Sequence, residues 1–254
     1  MHWRALCGIT LLVSAAPALA VGNLVDLEVY DATAGITLPV YRHGGRNYVA
    51  GEPAHEYRLA LASHAGGRTL AVTSVDGVNV VSGETAAPGQ TGYVLGAWQS
   101  YDILGWRKSL ERVASFYFTS LGDSYAARTG RPRNVGVIGV AVFLEKLPYV
   151  PPAAMNSAPE SGAARDEAAR AGAAPAPMAK AQQPDSKLGT GHGRGRDSTV
   201  VDTEFDRASS RPDETIVVYY DSRANLVAQG IIPGVDARRG GLPNPFPNGF
   251  VPDP

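Results

Sequence analysis

Apolar and polar residues alternate over much of the first half of the chain. Over 23–29, Leu24, Val25, Leu27 and Val29 stand around Asp26 and Glu28. Over 56–62, Tyr57, Leu59 and Leu61 stand against Glu56, Arg58 and Ala60. Successive side chains of a strand point to opposite faces, so this pattern predicts strands with one buried face. The same reading places strands at 36–41, 48–49, 69–75, 93–95 and 114–119. Pro39 marks an edge candidate, and Phe116 and Phe118 share a face. Over 106–113 the spacing of Leu110 and Val113 fits a short helical turn instead.

Residues 135–143, VGVIGVAVF, break the alternation. A strand apolar on both sides needs cover on both, which predicts a central strand. Its glycines leave room for bulky neighbours such as Trp98 or Trp106. Turn formers punctuate the runs: His43-Gly44-Gly45-Arg46, Ala65-Gly66-Gly67, Asp76-Gly77 and Pro88-Gly89. Asp-Gly between β-branched runs is a two-residue hairpin signal. Short strands separated by Gly and Pro predict a mainly β fold, an antiparallel β-sandwich-like single domain over 21–147.

The composition then changes. Residues 148–187 are mostly Ala, Pro, Gly and small polar side chains, too poor in large apolar groups to offset the entropy of ordering. They predict a disordered linker, with a transient helix over 160–171. Pattern returns over 188–232. The run LGTGHGRGR at 188–196 reads as a flexible, basic re-entry from the linker. Strands are expected at 199–205 and 214–220. Residues 221–232 predict a short helix, capped by Ser222 and ended by Gly230, with a hairpin strand as the alternative. This part is too small to fold alone and is expected to complete the first domain. Residues 233–254, rich in Pro and Gly, predict an extended tail.

The N-terminus adds a destination. Residues 1–20 read as a secretory signal peptide, with Arg4 ahead of an apolar core over 6–16 and Ala18-Leu19-Ala20 at the cleavage site. The core is too short to span a bilayer comfortably. The mature chain is expected in the periplasm or outside the cell, with no transmembrane segment after cleavage. Cys7 is the only cysteine and lies within this segment. Leu6 directly before it rules out a lipidation site. The mature chain therefore excludes disulfides, thiolate metal sites and cysteine nucleophiles. A net charge of -1, with no basic face interleaved with aromatics, argues against nucleic acid as a partner.

Several constellations suggest chemistry. Gly122-Asp123-Ser124-Tyr125 looks like the nucleophile block of the GDSL serine esterases, which would make Ser124 a nucleophile. Those enzymes also carry Asp-x-x-His near the C-terminus, and no histidine here has an Asp three residues before it. The bland alternative is a loop in which Asp123 or Ser124 bonds backbone N–H groups. Arg128, Arg131 and Arg133 cluster between two strong strands, where an anionic envelope ligand would find them. His192 and Arg194, with Arg196, sit among glycines that admit a backbone nest for an anion. No histidine pair has metal-ligand spacing, and no cofactor signature is present.

The segments GYVLGAWQSYDILGWRKS, DSYAARTGRPRNVGVIGVAVF, LGTGHG and YYDSRANL resemble an uncharacterised family of exported bacterial proteins. The resemblance implies that the parts before and after the linker belong together, and it brings no activity. The residues favour an exported, non-enzymatic binding or structural protein of the periplasm or cell surface, its partner an unknown protein or envelope component. The alternatives are a serine hydrolase using Ser124 and a binder of an anionic envelope ligand through the Arg128–Arg133 loop.

Overall fold

Alternating β-branched and aromatic residues build two seven-stranded sheets in this computed structural model, which describes residues 20–147 and 187–234. In chain order the strands are β1 (Val25–Asp31), β2 (Ile36–Thr37), β3 (Tyr41–His43), β4 (Arg46–Gly51), β5 (Glu56–Ser63), β6 (Thr69–Val75) and β7 (Val78–Asn79). They continue with β8 (Tyr93–Leu95), β9 (Ser100–Ile103), β10 (Gly105–Arg107), β11 (Arg112–Ser120), β12 (Val137–Leu144), β13 (Leu188–Asp197) and β14 (Glu214–Ser222). Two short helices, α1 (Tyr125–Arg128) and α2 (Arg223–Ala228), lie outside the sheets. The signal-peptide reading with Cys7, the linker with its helix, and the tail from 235 fall outside the described residues.

The first sheet runs β10-β11-β5-β1-β2, with β9 also on β5 and β13 also on β11. The second runs β3-β4-β14-β12-β6-β7, with β8 also on β6. Pairing is antiparallel throughout except for β14 on β4. In the first sheet Leu27 faces Leu61 and Val29 faces Leu59 across the β1–β5 pair, and all four are buried. Their face joins Phe116, Phe118, Ile138, Val140 and Val218 in one core drawn from both sheets. The mainly β, sandwich-like fold is therefore the one the alternation predicts.

The unalternating run at 135–143 becomes β12, paired on both sides by β6 and β14. Ile138, Val140 and Val142 face the main core. Ala141 and Phe143 face the other way, packed with Leu70, Val72 and Phe205. The Arg207 guanidinium lies 4.4 Å from the Phe143 ring centre, completing that outer cover. The glycines of this strand do not make room for tryptophan. A Cβ on Gly139 would meet Ser74 Oγ at 3.0 Å, Trp106 packs against Phe116 elsewhere, and Trp98 is exposed.

Four local expectations are corrected. The strand expected at 36–41 breaks around Pro39, whose ring lacks the N–H a ladder needs, so β2 and β3 join different sheets. Residues 106–113 form no helical turn: β10 and β11 make a hairpin, with Trp106 opposite Ala114 and Lys108 N–H bonded to the Arg112 carbonyl. Residues 199–205 form no strand: the Val200 N–H bonds the Leu110 carbonyl at 2.8 Å, and the segment then leads from β13 of one sheet to β14 of the other.

The run at 188–196 is no flexible re-entry but lies within the ten-residue strand β13. Its glycines admit neighbouring side chains. A Cβ on Gly191 would fall 2.2 Å from the Tyr117 ring, and one on Gly189 would fall 2.6 Å from Ser124 Cβ. Tyr117 lies over glycine where another side chain would stand.

The C-terminal helix forms as its caps dictate. Ser222 Oγ accepts the Asn225 N–H, and Gly230 turns the chain at φ +71°. Leu226, Ile231 and Ile232 then pack with Tyr41 and Tyr48 on the second sheet.

Candidate functional site

Two features stand out from a plain sandwich: a buried polar chain that joins the sheets, and an open groove beside them. The chain begins at the hairpin turn between β6 and β7. Asp76 and Gly77 both take positive φ, 53° and 72°, as a two-residue turn requires. The turn points the Asp76 carboxylate inward, where it is fully buried. Oδ1 accepts the Tyr220 hydroxyl at 2.5 Å and the Gly136 N–H at 2.9 Å, and Oδ2 accepts the Thr190 N–H at 2.8 Å. Thr190 Oγ1 lies 2.6 Å from both Tyr220 and Tyr57 hydroxyls.

Proton counting sets the direction of these bonds. Ionised Asp76 only accepts, so Tyr220 gives it its single proton. The Tyr220 oxygen then accepts from Thr190, and Thr190 accepts from Tyr57. Burial pushes the Asp76 carboxyl up to about 6, although the Tyr220 hydroxyl and the Thr190, Gly136 and Val137 backbone groups pull it down. Burial likewise holds the Tyr57 and Tyr220 phenols well above their ordinary value, with the Asp76 charge adding to it. The chain is closed to solvent and ties β5 and β13 of one sheet to the other.

The groove has a volume of about 860 Å³ and lies between β8, the start of β9 and the extended crossing at 198–207. Tyr93 and Tyr101 form its floor, with ring centres 5.0 Å apart. Arg107 reaches over them: its guanidinium donates to the Tyr93 hydroxyl at 3.0 and 3.2 Å and to Ser198 Oγ at 3.1 Å. Burial raises the Tyr93 phenol, and the Arg107 charge and hydrogen bond oppose that rise. Arg207 donates to the Gln90 carbonyl at 2.6 Å. Arg68 fastens the far wall through Glu145 at 2.7 Å and the Glu204 carbonyl at 2.7 Å.

The rim is apolar and exposed. Leu110 and Val201 are 42% and 81% exposed, and Trp98, in the turn between lining residues Gly96 and Gln99, is 68% exposed. Trp98 also holds φ +59°. A bulky residue there is an outlier and costs about 1–3 kcal/mol. Gln99 enforces it: its Oε1 accepts the Gly96 N–H at 2.7 Å while its own N–H reaches the Gly96 carbonyl at 3.2 Å.

The residues singled out from the sequence are dispersed. Ser124 is fully buried as the N-cap of α1, donating to the Leu121 carbonyl at 2.7 Å and accepting the Ala127 N–H at 3.2 Å. Its hydroxyl bonds are spent within its own turn. Arg131 donates to the Gly83 carbonyl at 3.0 Å and to Thr129, while Arg128 and Arg133 are exposed. The strand β13 brings His192 to α1, 5.6 Å from the Tyr125 ring. Partial burial, with the Lys108 and Arg128 charges, lowers the His192 imidazole. Arg194 is drawn away and pairs with Glu56 at 3.0 Å, as does Arg196.

Other pairings escape any local motif. His55 Nδ1 meets the buried Asp31 at 2.7 Å, and that carboxylate also accepts the Thr33 and Ala34 N–H groups, which fixes the turn after β1. Among the described residues no group of three or more His, Cys, Asp or Glu could hold a metal ion. No helix among them is long and apolar enough to cross a membrane. No family model, curated protein or solved structure matches the chain. Tyr93, Tyr101, Arg107 and Arg207 carry no mutual spacing in the sequence. The signal that was present is Trp98 and Tyr101 in a polar stretch, GAWQSY, after a Pro-Gly turn.

Proposed function

We propose that this chain is an exported, non-enzymatic binding protein of the periplasm or cell surface, with its ligand held in the groove above Tyr93 and Tyr101. The observation that carries the reading is Trp98. A turn built only to connect β8 and β9 is most stable with Gly or Asn at its positive-φ position. Here a large apolar ring is held there, exposed, between two residues that line a groove of about 860 Å³. Strain of this kind persists where a site uses it. Export rests on the character of residues 1–20.

The groove reading is tested by fluorescence in a Trp106→Phe variant, which leaves Trp98 as the reporter in the processed chain. Envelope glycans, peptides and lipids are screened for a rise in melting temperature. A true ligand also shifts Trp98 emission to the blue as the indole leaves water. A ligand that raises the melting temperature and leaves Trp98 emission untouched binds elsewhere and sinks the reading.

A further inference from the structure

The charges of the groove are not balanced inside the protein. Arg107 is half-buried, yet its described hydrogen-bond partners are all neutral oxygens: the hydroxyls of Tyr93, Tyr101 and Ser198 and the carbonyls of Ser109 and Ser198. Arg207 is half-buried too, bonded to the Gln90 carbonyl and laid over Phe143. Arg68, by contrast, has Glu145. The lining contributes one carboxylate, the exposed Asp202, which has no described ion pair. Guanidinium groups drawn from water normally meet an anion. Low-dielectric walls focus their field into the opening.

The groove also offers flat faces and free hydroxyls. The half-buried Tyr101 ring lines it, 5.0 Å from the buried Tyr93 ring, and the exposed Trp98 stands in the turn between lining residues Gly96 and Gln99. Its backbone is bare at Gly89, Gly92 and Gly96. The hydroxyls of Thr91 and Thr199 have no described partner and line the same space. Aromatic faces suit the C–H faces of sugar rings, hydroxyls suit their O–H groups, and a guanidinium with N–H groups to spare suits a carboxylate. A volume of about 860 Å³ holds a few sugar residues.

We infer that the groove takes an acidic glycan, a chain of sugar rings bearing carboxylates, and this rests on the groove being the binding site. A carboxylate lies toward Arg207, whose one described hydrogen bond goes to the Gln90 carbonyl, in the field that the saturated Arg107 adds, and a neighbouring ring stacks on Trp98. An acidic peptide would meet the same charges, but its side chains need separate sockets rather than a shallow aromatic floor.

Calorimetry on the full chain compares an oligogalacturonate, a neutral cello-oligosaccharide of equal length and polyglutamate, at low and high salt. The expected result is binding of the oligogalacturonate alone. It should weaken with salt, and fall about tenfold or more in Arg207→Gln, the order expected for losing one charged hydrogen-bonding partner. Trp98→Ala should weaken it as well. Arg207→Gln is preferred to an Arg107 variant because Arg107 also anchors Ser198, and unchanged melting shows that the variant folds. Equal or better binding of the neutral sugar, with the same loss in Trp98→Ala, overturns the acidic inference and leaves the groove standing. Polyglutamate binding without oligogalacturonate overturns the glycan. Should none of the three bind and no envelope component move Trp98 emission, both readings fall.

Discussion

Tyr220 and Asp76 are 144 residues apart in the chain, and the Tyr220 hydroxyl meets Asp76 Oδ1 at 2.5 Å in the interior. The pair makes stability depend on pH in an unusual direction. Burial raises the folded Asp76 carboxyl to about 6, above the ordinary 3.8 of a free aspartate. The folded state therefore holds the proton more tightly than the unfolded chain between those values. The stability it contributes is fully present below about pH 4 and is lost as pH rises through about 6. Urea unfolding at a series of pH values should show this fall in the wild type and a flatter profile in Asp76→Asn. An identical slope in the two proteins would show that Asp76 is not the group responsible.

Thr190 sits between two phenols, accepting from Tyr57 and donating to Tyr220. Thr190→Val keeps the shape and removes the hydroxyl, leaving Tyr57 without an acceptor. A cost of about 1–3 kcal/mol is expected. Thr190→Ser, which retains the oxygen, should cost less. Both are read from urea midpoints, and equal midpoints would remove the hydroxyl from the account.

The two tryptophans of the described residues should behave oppositely. Trp106 is buried against Phe116 and Tyr125 and donates its indole N–H to the Gly191 carbonyl at 3.2 Å. Trp106→Ala should cost about 3–5 kcal/mol. Trp98→Gly should leave the melting temperature unchanged or raise it, because glycine relieves the positive φ. A large fall in Trp98→Gly would mean that the indole is a packing residue.

Two glycines separate hard obstruction from soft. A Cβ on Gly105 would lie 1.9 Å from the Ala114 backbone oxygen, inside the β10–β11 ladder. Gly105→Ala should destabilise by about 1–3 kcal/mol or more, because the backbone must move. A Cβ on Gly191 meets only the far end of the half-exposed Tyr117 ring, which can swing outward. Gly191→Ala should be the milder change, and Tyr117→Ala should erase its cost. Thermal melts of the three variants decide this.

Ser124 acts as a helix cap in this geometry. Ser124→Ala should cost about 0.5–2 kcal/mol, the usual range for losing a cap. The folded wild type should not react with a fluorophosphonate probe. Labelling that disappears in Ser124→Ala would restore the nucleophile.

Legibility followed the range of the signal. β5, β12, the Asp76-Gly77 hairpin and the capped helix α2 could be read because alternation, turn chemistry and caps act within a few residues. β13 could not, because glycine has no side chain to alternate and the reason for its glycines stands on another strand, in Tyr117. Asp76 was readable as a turn former but not as the buried acceptor for a tyrosine near the far end of the chain. The groove was hidden for the same reason: its arginines and tyrosines converge only after both sheets have formed. Trp98 fits the pattern of a bulky neighbour to the 135–143 strand because large aromatics are usually buried, and its exposed position and backbone angle are set by Gln99 rather than by its own type.

The position of β14 fixes the order of events at synthesis. It is the last strand among the described residues, yet it lies between β4 and β12, and its Glu214 carboxylate gathers the Asn23 and Leu24 N–H groups at 2.7 Å. A nascent chain stopped before residue 214 has two sheet edges waiting for the same absent strand, and an unanchored beginning. Such edges pair with whatever strand arrives first, including one from another copy. The second sheet therefore cannot close until residues 214–222 have emerged, and assembly waits for them.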